Sequence, residues 1–310
     1  MTDTSVVAGG LQPTPVDPFR TFPPRSYEDA HVLVTHRSAC PAPEGPLVVA
    51  TAHFALHRSA DRLQVIHDLQ PHELNNDVTS LLVDELFTPG WLHGNQAFES
   101  VFTGLVRTTV DDPIEAWLVF YRNTLRALQE ARTAPADTGL PCTTTVGMAP
   151  VYDRVLELVP SGRVLDLGSC FGFLPLLMAQ TGRYAVTATD ISPPTMSLLA
   201  TVASAWRQRV ETVVCDAARV PLPDDAADFV SVVHLIEHLE PAHGLAVVRE
   251  ALRLASRQVI VAVPLETVPT MEFGHVRTFD LSTLAELGRA AGTGFTVDEH
   301  HGGWLILDPT

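Results

Sequence analysis

The chain has 310 residues, a hydrophobic fraction of 46% and a charged fraction of 18%, which suits one large or two modest globular domains and excludes a disordered chain. Its formal net charge is −16 and all 20 basic residues are Arg, so a phosphate-loop Lys, a Schiff-base Lys and a Lys general base are excluded together. Phosphate binding needs clustered positive charge, so the balance disfavours a nucleic-acid substrate and favours small neutral or sugar-like ones.

Residues 1–26 are rich in Pro, Thr and Gly without periodicity and read as a flexible or surface-draped arm. No stretch reads as a secretory leader, and no apolar run reaches the ~18 residues that span a bilayer. The four cysteines (Cys40, Cys142, Cys170, Cys215) form no C-x-x-C pair and read as reduced thiols of a soluble cytoplasmic protein.

Residues 27–132 read as a smaller α/β cap or substrate domain. The segments HVLV, PLVVATAHFAL and RLQVIHDL are β-rich, with a hairpin turn at HRSAD. Helical patterns follow at 71–88, 94–106 and 112–132, the last with Ile114, Trp117, Leu118, Tyr121, Leu125 and Leu128 at helical spacing. Trp91, His93, Trp117 and Tyr121 are available for stacking on a sugar if they face a cleft; the helical spacing of the last two favours core. The Pro-, Thr- and Gly-containing stretch 133–147 reads as a linker.

From 148 onward helices alternate with short apolar strands: a helix at 148–159, RVLDLG (163–168), a helix at 173–181, YAVTATD (184–190), a helix at 193–206, VETVVCD (210–216), ADFVSVVHL (227–235), a helix at 243–255 and RQVIVAVP (257–264). This is the pattern of a Rossmann-like parallel sheet with helices on both faces, with right-handed crossovers. FTVDEH and WLILD are separated by hairpin spacing, so one of them runs antiparallel.

Gly168-Ser169-Cys170-Phe171-Gly172 joins strand to helix as a tight turn where backbone N–H groups can meet a nucleotide. Asp190 ends the next strand about 20 residues on, where an acid grips ribose hydroxyls. A nicotinamide fingerprint, G-x-G-x-x-G, fails at Cys170 and Phe173. The run Asp166, Gly168, Cys170, Gly172 instead resembles the first motif of class I S-adenosylmethionine-dependent methyltransferases, with Cys170 in place of the middle glycine. The resemblance extends over 148–310 and implies a seven-stranded sheet ending in an antiparallel hairpin. It further implies that Asp166 and the Gly168–Gly172 turn border the methionine moiety, that Asp190 holds the ribose, that Ile191 packs on adenine and that Asp216 with Ala217 meets its amine. His234 is implied to line the methyl-transfer site, with S-adenosylhomocysteine as product.

His234, Glu237 and His238 share a face if the segment is helical. H-x-x-E-H is also an inverted zinc-protease signature, but the strand-like ADFVSVV before it argues against that. The same place resembles the divalent-metal site of ubiquinone-type O-methyltransferases with His234 in place of an acid. Magnesium prefers oxygen ligands, so no metal ligand is assigned, and His234, Glu237 and His238 are taken as acid–base candidates. GHVRTFD (274–280) adds His275 as a candidate base and Arg277 as an ion partner, with Asp280 capping the helix that follows.

The front half resembles methyltransferases of the mycofactocin oligosaccharide, which implies O-methylation of a glucose hydroxyl. N- or C-methylation, or a non-catalytic binding protein on the same fold, are the alternatives. The acceptor, the methylated atom and the oligomeric state are not legible.

Overall fold

The computed structural model describes residues 16–309 except 21, 30–31, 41, 60–61, 134–142 and 271–272. Most of the expected arm and linker therefore lies outside the described residues, as does Cys142. The chain opens with β1 (Ser26–Glu28), β2 (Val32–His36), β3 (Leu47–Ala50), β4 (Phe54–Arg58) and β5 (Leu63–His67). They form one sheet in the order β1-β2-β5-β4-β3, with β2 and β5 parallel and the other pairs antiparallel.

The run PLVVATAHFAL is two strands, not one. Thr51 N–H donates to the Phe54 carbonyl at 2.8 Å and Phe54 N–H to Thr51 Oγ1 at 3.1 Å. His53 N–H is held by Glu85, so a side-chain turn breaks the strand without Gly or Pro.

Three helical segments follow this sheet. The first starts later than expected, as α1 (Val78–Leu82) running into a π-helical turn at Val83–Phe87. Then come α2 (Asn95–Thr109) and α3 (Pro113–Thr133). On α2, a Cβ at Gly104 would stand 2.4 Å from a Val34 methyl carbon, so glycine sets the close approach of this helix to β2. Part of the arm is fastened rather than free. Arg107 donates to the carbonyls of Pro18 and Arg20, and the Trp117 indole N–H to Pro18 at 2.9 Å. The linker ends earlier than expected too, because Thr143 caps α4 (Thr144–Leu158), which absorbs residues 144–147.

The second half is β6 (Gly162–Leu167), α5 (Phe173–Gln180), β7 (Tyr184–Asp190), α6 (Pro193–Ala205), β8 (Val210–Val214), β9 (Ala227–Val233), α7 (Pro241–Leu254), β10 (Ala255–Val263), α8 (Leu281–Ala291), β11 (Gly294–Glu299) and β12 (Gly303–Asp308). The seven strands order as β11-β12-β10-β9-β6-β7-β8. β12 runs antiparallel to both neighbours and every other pair is parallel, as expected for the Rossmann-like sheet with its closing hairpin. A capping box of Asp280 and Thr283 starts α8. The strand order reverses between β6 and β9, so a crevice opens at their carboxyl ends, where open α/β sheets bind ligands.

The halves share one core. Trp117, Phe120 and Tyr121 of α3 and Phe102 of α2 are buried with Phe173 of α5 and with Met196 and Leu199 of α6. Ring centroids of Phe102 and Phe171 lie 5.5 Å apart, and those of Tyr121 and Phe173 5.4 Å. The front half is therefore packed directly over the Gly168–Gly172 turn. Among the described residues no helix is long and apolar enough to cross a membrane.

His67 sits fully buried in the front core, bonded through Nε2 to Thr108 Oγ1 at 2.6 Å. Burial, with His36 and Arg37 nearby, drives its imidazole down to about 3. An unfolded imidazole takes a proton near pH 6.5, so below that pH the unfolded chain binds the extra proton. Stability from this group is complete above about pH 6.5 and falls by up to about 1.4 kcal/mol per pH unit as the pH drops toward 3. Thermal melts at pH 7 and 5.5 should show a larger loss in wild type than in His67→Gln; equal losses would remove His67 from the acid response.

Candidate active site

At the carboxyl end of β6, Asp166 is 4% exposed and its Oδ1 accepts the Ser231 hydroxyl of neighbouring β9 at 2.6 Å. Burial pushes this carboxyl up to about 6, against the lowering effect of Ser231 and Ser169. The turn then closes through Gly172 N–H to the Ser169 carbonyl at 2.7 Å. Gly168 and Gly172 both have φ +71°, and Cβ atoms there would stand 2.7 Å from Leu235 and 2.4 Å from Leu199 side-chain carbons. Only glycine satisfies both conditions.

Cys170 also lies in the left-handed region, at φ +48°. A non-glycine residue there costs about 1 kcal/mol, whereas a glycine adds unfolded-chain entropy of similar size. Cys170→Gly should therefore shift the melting temperature by only a few degrees. The β-branched Cys170→Ile should lower it clearly, and equal melts for the two variants would contradict the strain.

Asp190 is held by both oxygens: Cys170 N–H donates to Oδ2 at 3.0 Å and Ser192 N–H to Oδ1 at 2.9 Å. This fixes the carboxylate plane and leaves further lone pairs for hydroxyl donors. Beside it Ile191 is 71% exposed, an apolar surface placed where a flat ring can cover it. Asp216 accepts Ala218 N–H and His243 Nε2, each at 2.9 Å, and these bonds hold its carboxyl below the usual range. Ala217 lies next to it in the same turn. The Gly168–Gly172 turn, Asp190, Ile191, Asp216 and Ala217 thus line one edge of the sheet.

A cavity of about 470 Å³ opens on that edge. It is lined by Cys170, Asp190 and Ile191, by Asn95, Phe98 and Glu99 of α2, and by Phe273. A larger cavity of about 900 Å³ lies at the opposite ends of the strands, around Arg163, Tyr184 and Arg209. It contains none of the site residues, and ligands of such sheets bind at the carboxyl ends. Trp117 borders the smaller cavity but is core, 2% exposed; Tyr121 is fully buried. Trp91 is exposed, and neither it nor His93 lines that cavity.

The histidine segment differs from the helical expectation. His234 leaves β9 with φ +51°, and a single 3₁₀ turn, Ile236–His238, follows. His234 and Glu237 approach only to 3.6 Å. Burial first, then His275 and His238, drives the His234 imidazole down to about 4. The group that converges is Glu237, His238 and His275, with one ligand atom from each within 4.8 Å of the others. His275 comes from the loop after β10, and its ring meets that of His238 edge-on at 4.8 Å between centroids. Behind it Glu266 Oε2 lies 2.8 Å from His275 Nδ1 and also takes part in a carboxylate held by the Thr270 hydroxyl. Arg277 stacks its guanidinium over Phe279 at 4.1 Å, which pins this loop. Glu266 and Ser231 were not singled out from sequence: one lies in the unpatterned PLETVPT loop and the other inside a buried strand.

Residues 165–263 match the family model described as a methyltransferase domain. The matched stretch spans the turn, Asp190, Asp216 and the H-x-x-E-H segment. No curated protein matches the chain. Among solved structures, the PH0226 protein of Pyrococcus horikoshii is 17% identical, covering 53% of this chain and 90% of that one, with TM-score 0.45. A SAM-dependent methyltransferase of Aquifex aeolicus is 18% identical over 51% and 89%, with TM-score 0.43. Magnesium protoporphyrin IX methyltransferase of Synechocystis, with bound S-adenosylhomocysteine, is 13% identical over 60% and 94%, with TM-score 0.46.

Proposed function

We propose that this methyltransferase transfers a methyl group to a hydroxyl oxygen of a small neutral or glycan acceptor. The observation that carries this reading is the Glu266–His275 pair, 2.8 Å apart, beside the carboxyl ends of β9 and β10. S-adenosylmethionine supplies an electrophilic methyl carbon on a sulfonium. An alcohol attacking in line must lose its proton, and an imidazole whose Nδ1 is fixed by a carboxylate offers Nε2 as the acceptor. Asp190 and Ile191 bind and orient the nucleoside, with Asp216 and Ala217 beside the base. Asp166 and the Gly168–Gly172 turn border the methionine end, and His234 excludes water at the transfer point. The remaining catalysis is alignment of acceptor oxygen and methyl carbon.

The part of the lining not assigned to the cofactor supports this acceptor class. Phe98, Phe171 and Phe273 give apolar faces, while Asn95 and Glu99 give polar ones. This pairing suits a polyol, whose C–H face stacks while its hydroxyls bond. The charge of −16 without Lys weighs against phosphorylated acceptors. By resemblance, a glucose of the mycofactocin oligosaccharide is the first acceptor to try.

Incubation with methyl-labelled S-adenosylmethionine and matched alcohol, amine and carbon nucleophiles tests this. The reading expects label in an ether on the alcohol. Label only on nitrogen or carbon favours the alternative methyltransferase, and tight cofactor binding with no transfer favours a binding protein.

A further inference from the structure

Glu237 is completely buried, and neither of its carboxylate oxygens has a hydrogen-bond partner; the nearest imidazole nitrogen, His234 Nδ1, stands 3.6 Å from Oε1. Burial pushes this carboxyl up to about 8, and a buried carboxyl either neutralises or is held ionised by a cation. Arg277 acts on it only through space: its guanidinium lies on Phe279 and lowers the Glu237 carboxyl against burial, and the hydrogen bond between them runs from the Arg277 backbone N–H to the main-chain carbonyl. The imidazole Nε2 of His234 is likewise buried without a partner.

The two other members of the cluster are oriented in the same way. His275 Nδ1 is tied to Glu266 at 2.8 Å and His238 Nδ1 to the Gly274 carbonyl at 3.2 Å. A proton on Nδ1, donated to a carboxylate or a carbonyl, leaves the lone pair on Nε2, which is how imidazoles that bind metals are held.

We propose that Glu237, His238 and His275 bind a divalent first-row transition-metal ion of the zinc class. Two imidazoles and one carboxylate suit that class, whereas magnesium and calcium call for oxygen ligands. Three protein ligands leave a fourth position open. His238 is exposed while Glu237 and His275 are buried, so the open side faces the solvent and the ion has a way in. The set is not the H-x-x-E-H run itself, since His275 replaces His234 as third ligand. Bonds of about 2.0–2.2 Å require the ligand atoms to draw closer than 4.8 Å, a movement that side-chain rotation of exposed His238 provides.

The site shares His275 Nε2 with the proton acceptor of the methyl-transfer reading, and an ion there takes that lone pair; the two are told apart because metal binding is measured with no cofactor or acceptor present. The chelator-stripped full chain is titrated with Co²⁺, whose visible absorption reports nitrogen ligation, and the bound ion is counted after gel filtration. One ion per chain is expected in wild type and in His57→Gln, a histidine outside the cluster. Glu237→Gln and His275→Gln should each weaken binding more than about a hundredfold, and the milder Glu266→Gln by about 10–100-fold. Circular dichroism confirms that each variant is folded, and S-adenosylmethionine affinity measured on the same samples reports the cofactor site separately. No saturable Co²⁺ binding in wild type, or equal binding in wild type, Glu237→Gln, His275→Gln and Glu266→Gln, overturns the proposal.

Discussion

Replacing Asp190 with Ala should weaken S-adenosylmethionine binding about a hundredfold. Its carboxylate is held by two backbone N–H groups, from Cys170 and Ser192, so it enters the complex already oriented. Hydrogen bonds to a charged acceptor contribute about 1.5–3 kcal/mol each. Losing two from the ribose removes about 3 kcal/mol or more, and every 1.4 kcal/mol is about tenfold in affinity. Asp190→Asn, which keeps the shape and loses the charge, should fall between. Titration calorimetry measures all three proteins, and an Asp190→Ala variant that binds as wild type does would move the nucleoside elsewhere.

His275→Gln should lower kcat by about 10²–10⁴, the usual contribution of a positioned proton acceptor, with cofactor affinity unchanged. Glu266→Gln should lower it less, because it leaves the imidazole in place and removes only the partner fixing its orientation. A merely structural role for the loop predicts a different pattern: parallel losses of melting temperature, cofactor affinity and kcat in both variants. Initial rates with saturating S-adenosylmethionine, set beside melting curves, separate the two.

The second half was legible because its physics is local and repeated. Each strand from β6 to β10 is an apolar run ended by a turn, and each helix between them is long enough to show its period. The final hairpin was legible from His301-Gly302-Gly303 alone. The first half hid its turns. Thr51 and Phe54 make a strand-breaking turn from a hydroxyl and a carbonyl, with none of the residues that usually announce one. Thr143 likewise starts α4 inside a stretch whose composition resembles a linker.

The site divides in the same way. The proposed cofactor edge is carried by residues adjacent to strand ends, so the positions of Asp190, Gly168 and Gly172 in the fold were legible from spacing. The proposed acid–base cluster is tertiary: Glu237, His238, Glu266 and His275 come from two loops brought together by the parallel pairing of β9 and β10. His234 was expected to share a helical face with Glu237 and His238. His234 is instead itself left-handed at the end of β9 and approaches Glu237 only to 3.6 Å, while His275 joins Glu237 and His238 in the cluster. The wall formed by Asn95, Phe98 and Glu99 had no motif because α2 contributes it through packing, not through a sequence pattern.

The edge formed by the Gly168–Gly172 turn, Asp190 and Ile191 is expected to bind S-adenosylmethionine. Calorimetric titration of the wild-type chain with S-adenosylmethionine, S-adenosylhomocysteine and NADH should show one saturable site for each of the first two and none for NADH; binding of NADH alone, or of none of the three, would rule out an S-adenosylmethionine site on this edge.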